Sequence, residues 1–370
     1  MSSIYAGSLQ LSLFGQSHGE AIGMTLDGFP AGMQIDTEAL RAEMNRRRPG
    51  TSRVTTARQE DDRVEFLSGV LNGRTTGQPI CGVIYNHGQH SKDYGDGVDV
   101  IRPSHADYTG HVRYFGFEDW RGGGSFSGRL TAPIVAAGSL CRQYLRSQGV
   151  EILGHILSIG KVQDESFQAC FREMQDWDNW KEGIRAPEGE ALPTISGVSD
   201  SMREEIYRAA AEQDSVGGQV ECLVHGLPAG LGAPFFDSVE STLARLLFSV
   251  PGVKGVSFGD GFGLSWMLGS EANDAFALIE KQVVTQTNHA GGINGGITNG
   301  MPVTVRCALR PTPSIGKAQG SVSLSRMEEE ELTIRGRHDP CIVPRALPVV
   351  EAMVAIGIMD LWKERAACLT

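Results

Sequence analysis

Three guanidinium groups, an imidazole and a carboxylate fall within eleven positions, at Arg335-Gly336-Arg337-His338-Asp339-Pro340-Cys341 and Arg345. Pro340 biases Asp339 away from helical geometry, so the run is expected to be a fixed turn. The apolar stretch from Ala346 to Leu361 then reads as a helix, with Pro348 in its first turn. A charged turn leading into a buried helix can hold an anion. It can equally be a surface turn with solvated charges, and this stretch alone leaves both open.

Other residues of the same chemistry are spread along the chain. Phe14-Gly15-Gln16-Ser17-His18-Gly19 puts an imidazole between a small hydroxyl residue and glycine, just past an expected strand. Asp36 or Thr37 can cap a helix that runs to about Arg48 and stops at Pro49-Gly50. Its end carries Arg46, Arg47 and Arg48, and Arg53 follows. Three consecutive arginines cannot all point one way on a helix, which leaves Arg47 and Arg53 available for a phosphate or carboxylate. Arg102-Pro103-Ser104-His105-Ala106-Asp107 repeats the pattern of proline, hydroxyl, imidazole and acid. Arg121-Gly122-Gly123-Gly124-Ser125-Phe126-Ser127-Gly128-Arg129 precedes an apolar helix from about Leu130 to Gln148 and is a plausible anion cradle. It matches neither the dinucleotide fingerprint nor a Walker loop. Two Gly-Gly pairs at Gly291-Gly292 and Gly295-Gly296 suit a backbone lying against a flat ligand or a neighbouring subunit. Arg310-Pro311-Thr312-Pro313-Ser314 leaves a strand with a cation and two hydroxyls, a credible phosphate contact. Together these residues suit a small ligand with several negative charges, and histidines beside a phosphate can act as general acids. His87-x-x-His90 has no third ligand near it, so no metal is expected.

The surrounding elements set limits on the rest. The chain has 370 residues and a net charge of −11. That balance argues against nucleic acid or an anionic membrane as main partner, but not against small anions met by clustered arginines. The cysteines form no Cys-x-x-Cys pair. Cys81, Cys141, Cys222 and Cys307 read as buried thiols in a reducing compartment. Neither a signal peptide nor a membrane span is legible, so a cytoplasmic protein is expected. Glu151 to Gly160, Gln219 to His225 and Met301 to Leu309 read as strands, the second with Val220, Cys222 and Val224 on one face. Ser201-x-x-Glu204 and Asp237-x-x-Glu240 read as capping boxes. Lys161 to Pro193 reads as a surface excursion without chemistry. Helices and alternating strands mix without a βαβ rhythm, and no linker divides the chain. An α+β fold with antiparallel sheets, in one domain over residues 1–370, is expected.

Taken in order, these motifs resemble the chorismate synthase family over nearly the whole chain. The resemblance rests on Phe14–Gly19, Arg46–Gly50, Ser68-Gly69, Thr75–Gly77, Arg102–Asp107, Arg121–Gly124, Asp214–Gly218, Asn288–Gly292 and Gly336–Cys341. It implies helices sandwiched between antiparallel sheets, assembled as a homotetramer. It implies a lyase on the route to aromatic amino acids. 5-Enolpyruvylshikimate 3-phosphate would lose phosphate and a ring proton by 1,4-anti elimination, with reduced FMN required and no net redox. By the same resemblance His18 would be the general acid at the leaving phosphate. His105 would lie by the flavin N1 region, and Asp339 would work with flavin N5 to remove the ring proton. Arg47, Arg53, Arg129 and Arg337 would hold the substrate anions. Ser125, Ser127, Pro251, Gly252, Gly295, Arg310, Pro311, Thr312, Pro313, Ser314 and Arg337 would contact FMN.

The chain departs from the family pattern in places. Gln16 stands where Glu is usual, Ser125–Thr131 where Arg-Ser-Ser-Ala-Arg-Glu-Thr is usual, and Arg310 and Pro313 replace Lys and Ser. Two other readings of the same pocket are an FMN-dependent oxidoreductase and an inactive ligand-binding homologue. No reductase segment using NADPH is visible, so reduced flavin is expected from an external source.

Overall fold

The computed structural model describes residues 3–50, 62–86, 99–171, 177–184, 192–334 and 339–368. Arg53, His87, His90, Arg335, Arg337 and His338 lie outside the described residues. Two five-stranded antiparallel sheets enclose a helical layer, the α+β sandwich expected from the sequence. The first sheet runs in the spatial order Ile4–Ala6, Gln10–Gly15, Ala21–Asp27, Ile80–Tyr85, Glu65–Ser68. The second runs Val253–Phe258, Val303–Leu309, Gly218–His225, Glu151–Ile159, Val162–Gln163. Period-two alternation turns Ile22, Met24 and Leu26 inward, all fully buried.

Helices Thr37–Arg47, Thr131–Ser147 and Val343–Cys368 fill the space between the sheets. Asp36 caps the first of these by accepting from the Glu38 and Ala39 amides, worth about 1 kcal/mol. Helices Thr131–Ser147 and Val343–Cys368 cross closely, because a Cβ on Gly138 would sit 2.3 Å from the Ala352 Cβ. Two carboxylates of the long helix are buried and paired. Glu351 meets Arg46 at 2.5 Å and Arg142 at 3.2 Å, and Asp360 accepts from the Tyr5 hydroxyl at 2.6 Å. One hydrophobic cluster runs from Leu9 through both sheets to Leu361.

Several local expectations change. The last helix begins at Val343, so Pro344 sits in its first turn and Pro348 lies inside the helix. That proline removes one helical bond in a segment held by burial on all sides. Helix Ser199–Ala211 starts ahead of Ser201, whose box does not form; Ser199 Oγ instead accepts from the Leu192 amide. Ser238, not Asp237, caps helix Val239–Leu247 by accepting from the Ser241 amide. Cys81 is only half-buried, while Cys141, Cys222 and Cys307 are buried as expected.

The largest change concerns strand Gly218–His225, buried on both faces rather than one. Glu221 and Leu223 are as inaccessible as Cys222. The cover comes from the segment read as a surface excursion. Phe167 and Ile184 pack on Leu223, and Trp177 stacks on His225 with ring centroids 4.3 Å apart. Under this cover lies a polar cluster whose histidine and two carboxylates are buried. His155 contacts Asp164 Oδ2 and Glu221 Oε2, each at 3.1 Å, and Arg306 Nε donates to Glu221 Oε1 at 2.6 Å.

Burial opposes an imidazolium at His155, but bonds to the two carboxylates outweigh it and raise its pKa. Its contribution is therefore complete below the unfolded value of about 6.5 and lost as pH rises through the higher folded value. Asp164 and Glu221 are shifted downward, so their contributions fade only in acid. We expect the melting temperature to fall as pH is raised from about 6.5, and the fall to shrink in His155→Gln. A melting temperature that rises over that range would count against this account.

Candidate active site

A cavity of about 320 Å³ opens at one end of the helical layer. Its wall includes Arg47, His105, Ser127, Arg129, Pro251, Gly252, the whole Arg310–Ser314 turn, Asp339 and Arg345. Residues from six separated segments thus converge, which is the arrangement expected of a site for a polyanionic ligand. A second cavity of about 510 Å³ adjoins it and shares His105 and Phe126.

His105 is fixed by its own turn. Arg102 grips Asp107 through Nε at 2.7 Å and Nη2 at 2.6 Å, and Asp107 Oδ1 lies 2.6 Å from His105 Nδ1. Nδ1 faces both this carboxylate and Arg102 Nη2 at 3.0 Å, so Nε2 is the ring nitrogen left for a ligand. Burial would raise the Asp107 pKa, yet the bonds from Arg102 and His105 hold it well below the usual carboxylate range. Asp107 belongs to the sequence motif but was not among the candidate site residues; its signal was an acid two positions from the imidazole.

His18 is buried in the turn after strand Gln10–Gly15 and does not line either cavity. Gly122, which does line the first, lies directly against it: a Cβ there would sit 2.4 Å from His18 Nε2. Gly122, Gly123 and Gly124 all have positive φ, which lets this strip pass between His18 and His105. The strip lies in a kinked turn over Arg121–Phe126 with non-helical backbone angles at its three glycines, not in the first turn of the following helix, which starts at Thr131.

The arginines divide as the helix geometry required. Arg46 turns to Glu43 and Glu351, while Arg47 is buried and faces the cavity. Arg47 Nη2 donates to Asp62 Oδ2 at 2.6 Å, and Arg129 Nη1 donates to Asp62 Oδ1. Arg129 Nε also donates to Asn86 Oδ1 at 3.1 Å, and Asn86 Nδ2 donates to the Gln16 and Gly19 carbonyls that flank His18. Asp62 and Asn86 escaped sequence reasoning, since no spacing rule links them to these partners.

Asp339 lies at the cavity wall in an ion pair with Arg345 Nη1, and Arg345 Nε donates to the Arg47 carbonyl at 3.0 Å. Cys341, two residues on, is fully buried, and burial pushes its thiol up to about 12, which rules out a thiolate nucleophile.

One side of the cavity carries a buried hydroxyl left for a ligand. Thr312 Oγ1 is buried with no hydrogen-bond partner among the described residues, although it sits in the hydroxyl turn. Gly252, at φ +91°, leaves space that a Cβ would fill 2.8 Å from Ile342 Cδ1. Arg310 Nη1 donates to the Ser104 carbonyl at 2.6 Å and so ties this turn to the one carrying His105. Ser125 is exposed and Gly295 lies in the Ile293–Thr298 hairpin; neither lines the cavity. Among the described residues there is no cluster able to hold a metal ion.

A family model described as chorismate synthase matches residues 9–362. The chorismate synthase of Dehalococcoides mccartyi strain BAV1 is 44% identical over 98% of this chain and 96% of its own. That of Thermococcus kodakarensis is 44% identical over 97% of each chain. A solved structure titled as a crystal structure of chorismate synthase superposes with a TM-score of 0.74 at 27% identity, covering 96% of this chain and 92% of that one.

Proposed function

The chain belongs to the chorismate synthase family of phosphate-removing lyases, and on that premise we propose that this cavity converts 5-enolpyruvylshikimate 3-phosphate to chorismate by 1,4-anti elimination with reduced FMN. The observation that carries the reading is the convergence of Arg47, Arg129, His105 and Asp339 on one cavity with the Arg310–Ser314 turn. Two arginines match a substrate with a phosphate and two carboxylates. Pro251, Gly252, Ser127 and the Arg310–Ser314 turn would hold FMN, with Thr312 Oγ1 free to donate to its phosphate. When bound, reduced FMN supplies electron density that helps the phosphate leave without net redox.

The chain's own residues do the rest. His105 presents Nε2, with its ring held by Asp107, and keeps the cofactor in its useful protonation state. Asp339 accepts the ring proton, held in place by Arg345. His18 delivers a proton toward the departing phosphate from behind the Gly122 strip. Arg53 and Arg337 are further proposed anion ligands, and Gly295 and Ser125 proposed cofactor contacts.

The test is anaerobic turnover with chemically reduced FMN. Chorismate in many-fold excess over flavin is the expected result. Flavin oxidised in step with product would instead favour an oxidoreductase, and substrate binding without turnover would favour an inactive homologue.

Assembly as a homotetramer is part of the same proposal. Phe117, Phe236, Phe115 and Trp266 are more than four-fifths exposed in the single chain, a large apolar area for a monomer. Light scattering is expected to give four copies; a monomer would count against it. No helix of the described residues is long and apolar enough to cross a membrane.

A further inference from the structure

We propose that Asp62 is a positioning residue whose carboxylate holds the Arg47 and Arg129 guanidiniums at the cavity wall in the orientation that receives the substrate anions. The inference rests on the proposed function. Asp62 does not line the cavity, but both arginines do. Its side chain is 1% exposed, as is that of Arg47, and that of Arg129 is 7% exposed. Two guanidiniums buried side by side repel each other, and an anion shared between them offsets that repulsion. Asp62 is that anion, and each of its oxygens takes one arginine.

The partition of donors defines the orientation. Asp62 takes Nη2 of Arg47, while Nη1 of Arg47 lies 3.4 Å from both the Gly128 carbonyl and Thr131 Oγ1. Asp62 takes Nη1 of Arg129, while its Nε goes to Asn86. Each planar fork is therefore held at more than one point, and a fork held this way loses little freedom when it binds an anion. The chain through Asn86 also ties these arginines to the turn bearing His18, so anion ligand and proposed acid keep a fixed spacing.

A competing role is imaginable for the same contacts: Asp62 could occupy the arginines until substrate displaces it. The two differ in sign. Removing the carboxylate charge with Asp62→Asn raises the local charge, so a competitor's loss tightens substrate binding. Loss of a positioning anion weakens it.

The experiment measures KM and kcat for 5-enolpyruvylshikimate 3-phosphate, FMN affinity and melting temperature in wild type, Asp62→Asn and Asp62→Glu. Asp62→Glu keeps the charge but lengthens the arm, and it decides the matter if the Asn variant does not fold. The expected result is a KM raised by about tenfold or more in each folded variant, kcat changed far less, and FMN affinity unchanged. Unchanged or tighter substrate binding overturns the proposal, and so does an equal loss of FMN and substrate binding with a lowered melting temperature. A wild type that has no affinity for the substrate overturns the functional reading and this role with it.

Discussion

Asp339→Asn is expected to lower kcat by about 10³-fold while leaving substrate affinity near that of wild type. Asparagine has nearly the volume of aspartate and still offers an oxygen to Arg345. What it lacks is basicity, so a proton-abstracting role is lost while the cavity keeps its shape. Binding is expected to hold because removing a negative charge from an anion site does not weaken attraction for the ligand. The ion pair with Arg345 sharpens the test. If Asp339 served only to orient Arg345, the variant would raise KM and spare kcat. Steady-state kinetics with saturating reduced FMN distinguish the two, and a kcat close to that of wild type would remove Asp339 from the chemistry.

That carboxylate was legible in the sequence because proline follows it and arginines surround it. So was helix Thr37–Arg47, because Asp36 offers a cap and Pro49-Gly50 a stop. Local signals succeed where one residue carries the chemistry alone. They fail by a position where neighbours compete, as with Ser238 beside Asp237. Serine and aspartate are both good N-caps, and the choice between them is made by tertiary packing.

Contacts distant in sequence set a harder limit. Glu221 alternates with Val220 and Cys222 and so reads as solvent-facing, but Phe167 and its segment cover that face. Asp62 pairs with residues 15 and 67 positions away, and neither separation follows a helical or strand period. Gly295 shows the reverse case. Its glycine pair was conspicuous in sequence, yet a Cβ there would meet nothing within 4 Å in the single chain.

Gly122→Ala should be a severely damaging exchange of a single small side chain in this site. The new methyl would fall 2.4 Å from both Cδ2 and Nε2 of His18 and 3.0 Å from Ser17 Oγ. Side chains do not tolerate such contacts, so either the imidazole or the strip must move. The strip cannot easily yield, because Gly124 already lies against the Asp119 carbonyl, where a Cβ would sit at 1.8 Å. Gly122 also adopts φ +58°, which alanine reaches only with strain. The imidazole is therefore displaced, and a shift of about 1 Å in a catalytic group costs on the order of 10²-fold in turnover. Gly320→Ala, where a Cβ meets nothing within 4 Å and φ is ordinary, is the matched control and should change little. Both variants would be compared in kcat and melting temperature. A loss of kcat in Gly122→Ala well beyond any loss of stability is expected if His18 acts from behind the strip. Full activity in that variant would mean that the chemistry does not depend on where His18 lies.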